Sequence, residues 1–234
     1  MILDSHLIKI TVNKMRYYMF NKPRGCITAC SDQRHKTVMD YFPDEEREGL
    51  FPVGRLDKDT EGFLIITDDG QFSYHVTTPE REVEKTYFFY AKGKLDDEKI
   101  KRLEGGVDIM TSVVHKTAPA RAEKVGEATL RDIGHLLDCD PARLKYTRHG
   151  DVEVTAVKIT ITEGKKHQVK KMAMAVGMRI VYLERIAISG VTLDTSLKRG
   201  EYRALTEEEV NMIRSNGKAV LSGEFTQDAP CVTA

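Results

Sequence analysis

Residues 50–70, LFPVGRLDKDTEGFLIITDDG, set a polar, acid-rich loop between two apolar runs. Within it FLIIT (63–67) is short, β-branched and bounded by turn residues, which predicts a buried strand rather than a helix. The loop is thereby anchored on both sides, and Asp57 at its centre is a carboxylate placed just ahead of a rigid element, with Arg55 two positions before it. The same reading predicts strands over 16–21, 85–91, 117–125, 153–162 and 178–188.

Helices are predicted over 69–76, ahead of Pro79, and over 96–104, with Asp96 as N-cap and Gly105-Gly106 as the stop. A longer one is predicted over 163–177. There Val169, Met172, Ala173 and Val176 stand at i, i+3, i+4 and i+7, Gly177 fits the C-terminal stop, and Lys166 and Lys170 lie four apart on a neighbouring face. Thr206 caps a last helix over 206–215, and 37–42 is one helical turn. Residues 126–150 form a long connection in which TLRDIGHLL reads as a helix. Residues 1–14 read as an arm or short strand, and the Gly-, Ser-, Pro- and Thr-containing segment from 217 onward as a loose tail. Strands outnumber long helices, so the expected fold is mixed α/β of the α+β kind, with a largely antiparallel sheet flanked by helices.

Composition changes this picture little. A chain of 234 residues with 41% hydrophobic and 31% charged positions is ordinary for a globular enzyme. Lysine plus arginine equals aspartate plus glutamate at 36 each, so the net charge is zero, less basic than a nucleic-acid binder usually is. Distribution matters more than the sum. Residues 164–185 hold Lys165, Lys166, Lys170, Lys171, Arg179 and Arg185 against the single acid Glu184, a basic patch suited to backbone phosphates. The four cysteines form no CxxC or zinc spacing, which points to reduced thiols in a cytoplasmic protein. No apolar run reaches membrane-spanning length, and the first residues lack a signal-peptide layout.

One other chemistry fits the central loop in register. Asp57, Asp59, Glu61, Gly62 and Asp68 fall at positions 1, 3, 5, 6 and 12 of a calcium-loop template. The context does not fit, because Pro52 and Gly54 spoil an entering helix and FLIIT continues as strand. No metal site is expected.

GRLDKDTEGFLIITDDG resembles the GRLDxxTxGLLLLTxDG signature of the pseudouridine synthases. Three further blocks follow that family's order: FNKPRG (20–25) before it, EKTY (84–87) after it, and EGKKHQVKKM (163–172) downstream. The segment 184–210, ERIAISGVTLDTSLKRGEYRALTEEEV, is similar to the closing segment of the RsuA type, which modifies small-subunit ribosomal RNA. The resemblance spans roughly 16–213. It implies a catalytic domain over 16–216 in two sub-lobes with a central RNA cleft, an arm over 1–15 and a tail over 217–234. Many RsuA-type proteins carry a small basic RNA-binding module in front, for which this sequence is expected to have no room.

The resemblance also implies the chemistry. The ribose C1′–N1 bond of a uridine breaks, the uracil turns, and C1′ is joined to carbon 5; no atoms enter or leave, so no cofactor is expected. Asp57 matches the family's carboxylate beside C1′, where an aspartate either attacks C1′ or takes a proton from the neighbouring carbon. Burial would favour a protonated carboxyl there unless a cation sits close by, and Lys170 matches the family's basic partner. Tyr87 matches the tyrosine that stacks on uracil, and Arg55 the residue that fills the space left by a flipped base. Lys22, Arg24, Lys165, Lys166, His167, Gln168 and Lys171 are expected to contact RNA. The expected partner is ribosomal RNA or a ribosome-assembly intermediate, bound by a monomer with no membrane association. A large-subunit enzyme of the same group, or an RNA-binding protein that kept the fold and lost turnover, are the alternatives.

Overall fold

The computed structural model describes residues 14–137 and 152–216. The expected arm and tail, the later part of the 126–150 connection, Cys139 and Cys231 lie outside the described residues, apart from Lys14 and Met15. Strand β1 (Tyr17–Lys22) is followed by a 3₁₀ turn at Val38–Tyr41, the short helix α1 (Asp44–Arg47), β2 (Phe51–Val53), β3 (Glu61–Thr67), α2 (Gly70–Thr77) and β4 (Lys85–Lys92). Next come α3 (Asp97–Glu104), the small hairpin β5 (Asp108–Met110) and β6 (Val114–Lys116), and β7 (Arg121–Thr129). The chain closes with β8 (Glu153–Ile161), α4 (Gln168–Ala175), β9 (Arg179–Ile188), β10 (Val191–Thr192), β11 (Tyr202–Ala204) and α5 (Glu207–Arg214).

Among the described residues, nine strands form one sheet in the order β11-β1-β3-β9-β4-β8-β7, with β2 on β3 and β10 on β9. Every pairing in it is antiparallel except β3 with β9, which run parallel at only two residue pairs, Glu61 with Glu184 and Gly62 with Arg185. The expected mixed architecture with a largely antiparallel sheet is what the chain adopts.

All seven residues of β3 are buried because both of its faces are covered. Phe63 and Ile65 pack with Phe72 and Val76 of α2 and with Val210 and Ile213 of α5. Leu64 and Ile66 point the other way, into a core shared with Phe89 and with Val169, Met172 and Ala173 of α4. The predicted caps Asp96 and Thr206 accept hydrogen bonds from the backbone of Lys99 and Glu209, and Asp69, read as the first helical residue, caps α2 by accepting from Phe72.

Three expectations are corrected. The strand read over 117–125 forms four residues later, because Thr117 instead exchanges hydrogen bonds with Val107. TLRDIGHLL is not a helix: β7 runs through Thr129, whose amide and hydroxyl both donate to Asp132 Oδ2, and only a 3₁₀ turn follows at Gly134–Leu136. The helix read over 163–177 is confined to Gln168–Ala175, because His167 adopts φ 56° and breaks the helical path ahead of it. Residues 163–167 are therefore a loop, and Lys166 is not on a helix face with Lys170.

Candidate active site

The loop between β2 and β3 carries Asp57, and α4 brings Lys170 to it. Lys170 Nζ lies 2.9 Å from Asp57 Oδ2 and 2.6 Å from Asp59 Oδ1. His167 Nε2 is 3.5 Å from the other Asp57 oxygen. Burial pushes the Asp59 carboxyl up, but the hydrogen bond and charge of Lys170 outweigh it and hold Asp59 below the usual carboxylate range. Asp57 is about a quarter exposed, its side chain 28% accessible, so it is both held and reachable.

The loop itself is braced from beneath. Lys22 is fully buried and its ammonium donates to the carbonyls of Pro23 and Thr60, at 3.0 and 2.9 Å. Thr28 Oγ1 donates to the Leu56 carbonyl and accepts from the Leu56 amide, fixing the residue next to Asp57. Glu61, fully buried at the start of β3, lies 2.6 Å from Arg199 and 3.8 Å from Arg24. Burial pushes its carboxyl up while those two cations pull it back. Arg24 and the segment ahead of β11 are thus tied to the first residue after the loop.

These elements frame a cleft of about 700 Å³ lined by Arg55, Asp57, Tyr87, Lys165, Lys166, His167, Lys85 and Arg185, among others. Tyr87 is 8% exposed and belongs to the core, yet it lines the same cleft as the Asp57 loop. Arg55 is exposed on the cleft and makes no ion pair among the described residues. An aromatic face, an anchored carboxylate and several cations around one opening suit a flipped-out nucleotide.

The structure therefore brings Asp57, Tyr87, Lys170, Arg55, Lys165, Lys166 and His167 to one site. It does not do so for all the expected RNA contacts. Lys22 is corrected: a fully buried ammonium bonded to two carbonyls holds the loop and cannot reach a phosphate. Gln168 is corrected likewise, being 4% exposed, with its amide donating to Glu163 and its oxygen accepting from the Lys165 amide, so that it closes the 163–168 loop. Arg24 faces Glu61, and Lys171 does not line the cleft. The calcium-loop register is also undone, since Glu61 is enclosed by Arg24 and Arg199 while Asp68 pairs with Arg16 at 2.8 Å.

Sequence reasoning missed Asp59 and Lys85 as members of the site, and named Arg185 only within the basic patch. Lys85 carried a signal, since it lies two positions before Tyr87 and so on the same strand face. Arg185 carried one only as a member of the 164–185 basic patch; its place beside Tyr87 follows from strand order.

Residues 16–175 match the family model of RNA pseudouridylate synthase. The chain belongs to that family and is an RNA pseudouridine synthase, an isomerase. Within it the chain is of the RsuA type. It is 43% identical over 198 residues to an uncharacterized RNA pseudouridine synthase, YtzG, of Bacillus subtilis, an alignment covering 84% of this chain and 72% of that protein. It is 36% identical over 195 residues to ribosomal small subunit pseudouridine synthase A of Escherichia coli, covering 83% and 72%. A crystal structure of a pseudouridylate synthase superposes with TM-score 0.69 at 32% identity, covering 86% of this chain and 74% of that one. Among the described residues no helix is long and apolar enough to cross a membrane.

Proposed function

We propose that this protein converts a specific uridine of small-subunit ribosomal RNA to pseudouridine, acting as a monomer in the cytoplasm on the RNA or on a ribosome-assembly intermediate. The observation that carries the catalytic part is the Lys170–Asp57 ion pair at the mouth of a cleft that also contains Tyr87. The small-subunit part is supported by the likeness to ribosomal small subunit pseudouridine synthase A.

In this reading Asp57 acts on the ribose, at C1′ or on the proton of the neighbouring carbon, while Lys170 fixes its position and charge. The C1′–N1 bond breaks, the uracil turns against the Tyr87 ring, C1′ bonds to carbon 5, the proton leaves carbon 5 and N1 gains one. The Tyr87 hydroxyl passes that proton in this scheme. Arg55 occupies the gap left in the RNA, and Lys165, Lys166 and His167 hold phosphates on the wall formed by the 163–167 loop.

The test is release of tritium from carbon-5-labelled uridine in small-subunit ribosomal RNA, free and in assembly intermediates, with large-subunit RNA alongside. Release from the small-subunit substrates supports the proposal. Release from large-subunit RNA alone would replace the substrate, and RNA binding without release would reduce the protein to a binder.

A further inference from the structure

Two cations on the sheet side of the cleft have no part in the scheme above. Arg185 on β9 is the direct cross-strand partner of Tyr87 on β4, and its guanidinium carbon lies 6.0 Å from the Tyr87 ring centre. Lys85 stands two positions before Tyr87 on the same face of β4. Both side chains line the cleft that holds Asp57.

Neither is neutralised. Lys85 Nζ donates to the Val83 carbonyl and Arg185 Nε to the Phe63 carbonyl, each at 2.7 Å, and among the described residues no carboxylate lies within ion-pair distance of either. Arg185 is 3% exposed, and its buried Nη2 has no hydrogen-bond partner. Burial, with the adjacent Arg185 charge, pushes the Lys85 ammonium down to about 8, which leaves most of it charged at neutral pH. An unpaired buried guanidinium beside a second cation is costly, and a folded chain rarely keeps one that nothing satisfies. A ligand anion would supply what the protein does not.

We infer that Lys85 and Arg185 form an anion subsite that takes a backbone phosphate flanking the target uridine. This rests on the assignment of the Asp57 cleft as the place where that uridine binds. A flipped nucleotide carries its own phosphates into the cleft, and an arginine with a free N–H next to a lysine offers the donors a phosphate accepts. The loop cations Lys165 and Lys166 line the same cleft, so phosphates on more than one side of the sugar find a cation there.

The full chain should be titrated with uridine, uridine 5′-monophosphate, uridine 3′-monophosphate and inorganic phosphate, followed by NMR. One of the two monophosphates is expected to bind at least about ten-fold more tightly than uridine, with inorganic phosphate competing for the gain. Lys85→Met should erase that preference while changing uridine affinity less than about two-fold. Arg185→Lys, which keeps a charge where a neutral residue would endanger folding, should reduce it. Equal affinity for uridine and both monophosphates overturns the inference, as does a preference that survives Lys85→Met. The tritium assay decides the underlying reading separately: phosphate preference without tritium release keeps the subsite and removes the catalytic assignment, and release without phosphate preference does the reverse.

Discussion

Lys170 and Asp57 stand 113 positions apart in the sequence and meet at 2.9 Å, and the same ammonium holds Asp59 at 2.6 Å. One cation therefore serves two carboxylates of unequal placement, and their substitutions should separate. Asp57→Asn keeps the shape and loses the charge, so tritium release should fall below about a hundredth of wild type with folding and RNA affinity nearly unchanged. Asp59→Asn should stay within about ten-fold of wild type. Equal losses for the two would remove Asp57 from its special role.

Removing the shared cation takes away the ammonium that Asp57 and Asp59 both contact. Lys170→Met should lower single-turnover release about a hundred-fold, and Lys170→Arg should restore most of it. If the methionine variant turned over normally, the ion pair would be incidental to the reaction.

Salt dependence should distinguish the two loop lysines. Lys165 Nζ lies 3.6 Å from Glu163, whereas Lys166 is exposed and makes no ion pair among the described residues. Each phosphate contact contributes about −0.7 to −0.9 to the slope of log affinity against log salt. Lys166→Ala should flatten the slope by about one such step and Lys165→Ala by less, with all RNAs weakened alike because phosphate contacts carry no sequence information. Arg55→Ala should leave the slope nearly unchanged and depress turnover instead. Filter binding from 50 to 300 mM salt, on the order used for such slopes, reads both effects.

The acid side of the stability profile follows from several carboxyls. Burial works against Asp68 and Asp69, but hydrogen bonds from Arg16 to the first and from Tyr17 to the second outweigh it and hold both low. Ser196 and Arg203 hold Asp194 at about 2. A carboxyl depressed in the folded state contributes stability fully present above its unfolded value, about 3.9, and lost as pH falls through the folded one. His75, pushed down by burial, adds a decline that starts below about 6.5. Urea midpoints should drift down slightly from pH 7 to 5 and drop steeply between about pH 4 and 2. A midpoint that rose on acidification would contradict these pairings.

Gly62 tests the seam between β3 and β9. It has φ 95°, and a Cβ there would run into the Arg185 carbonyl and the Glu184 side chain. Gly62→Ala should destabilise by at least about 2 kcal/mol, through positive-φ strain and overpacking together. Thermal or urea unfolding measures it.

Much of this was legible in the sequence because local signals and final structure agree. FLIIT is a strand, Asp96 and Thr206 are caps, and the Val169–Met172–Ala173–Val176 stripe faces the core. Three of the four motif blocks line one cleft, and the fourth, FNKPRG, braces the Asp57 loop from beneath. What failed did so where a single conformation or a burial decided the outcome. The left-handed His167 shortens α4, a side-chain turn at Asp132 stops a helix-like run, and Lys22 looks like a surface lysine until the strands on either side enclose it. Lys85 and Arg185 gain their meaning only from the β4–β9 register.

The strand that joins β3 to β4 is β9, made from residues 179–188. During synthesis both partners are therefore finished long before the strand that must lie between them. At 5–20 residues per second the wait is on the order of ten seconds, with the β4 edge and the first two residues of β3 open to wrong partners. Asp57 and Tyr87 exist throughout that interval but are not yet held on one cleft. A chain interrupted before residue 179 would carry both residues, lack the strand that unites them, and expose the β4 edge as a site of aggregation.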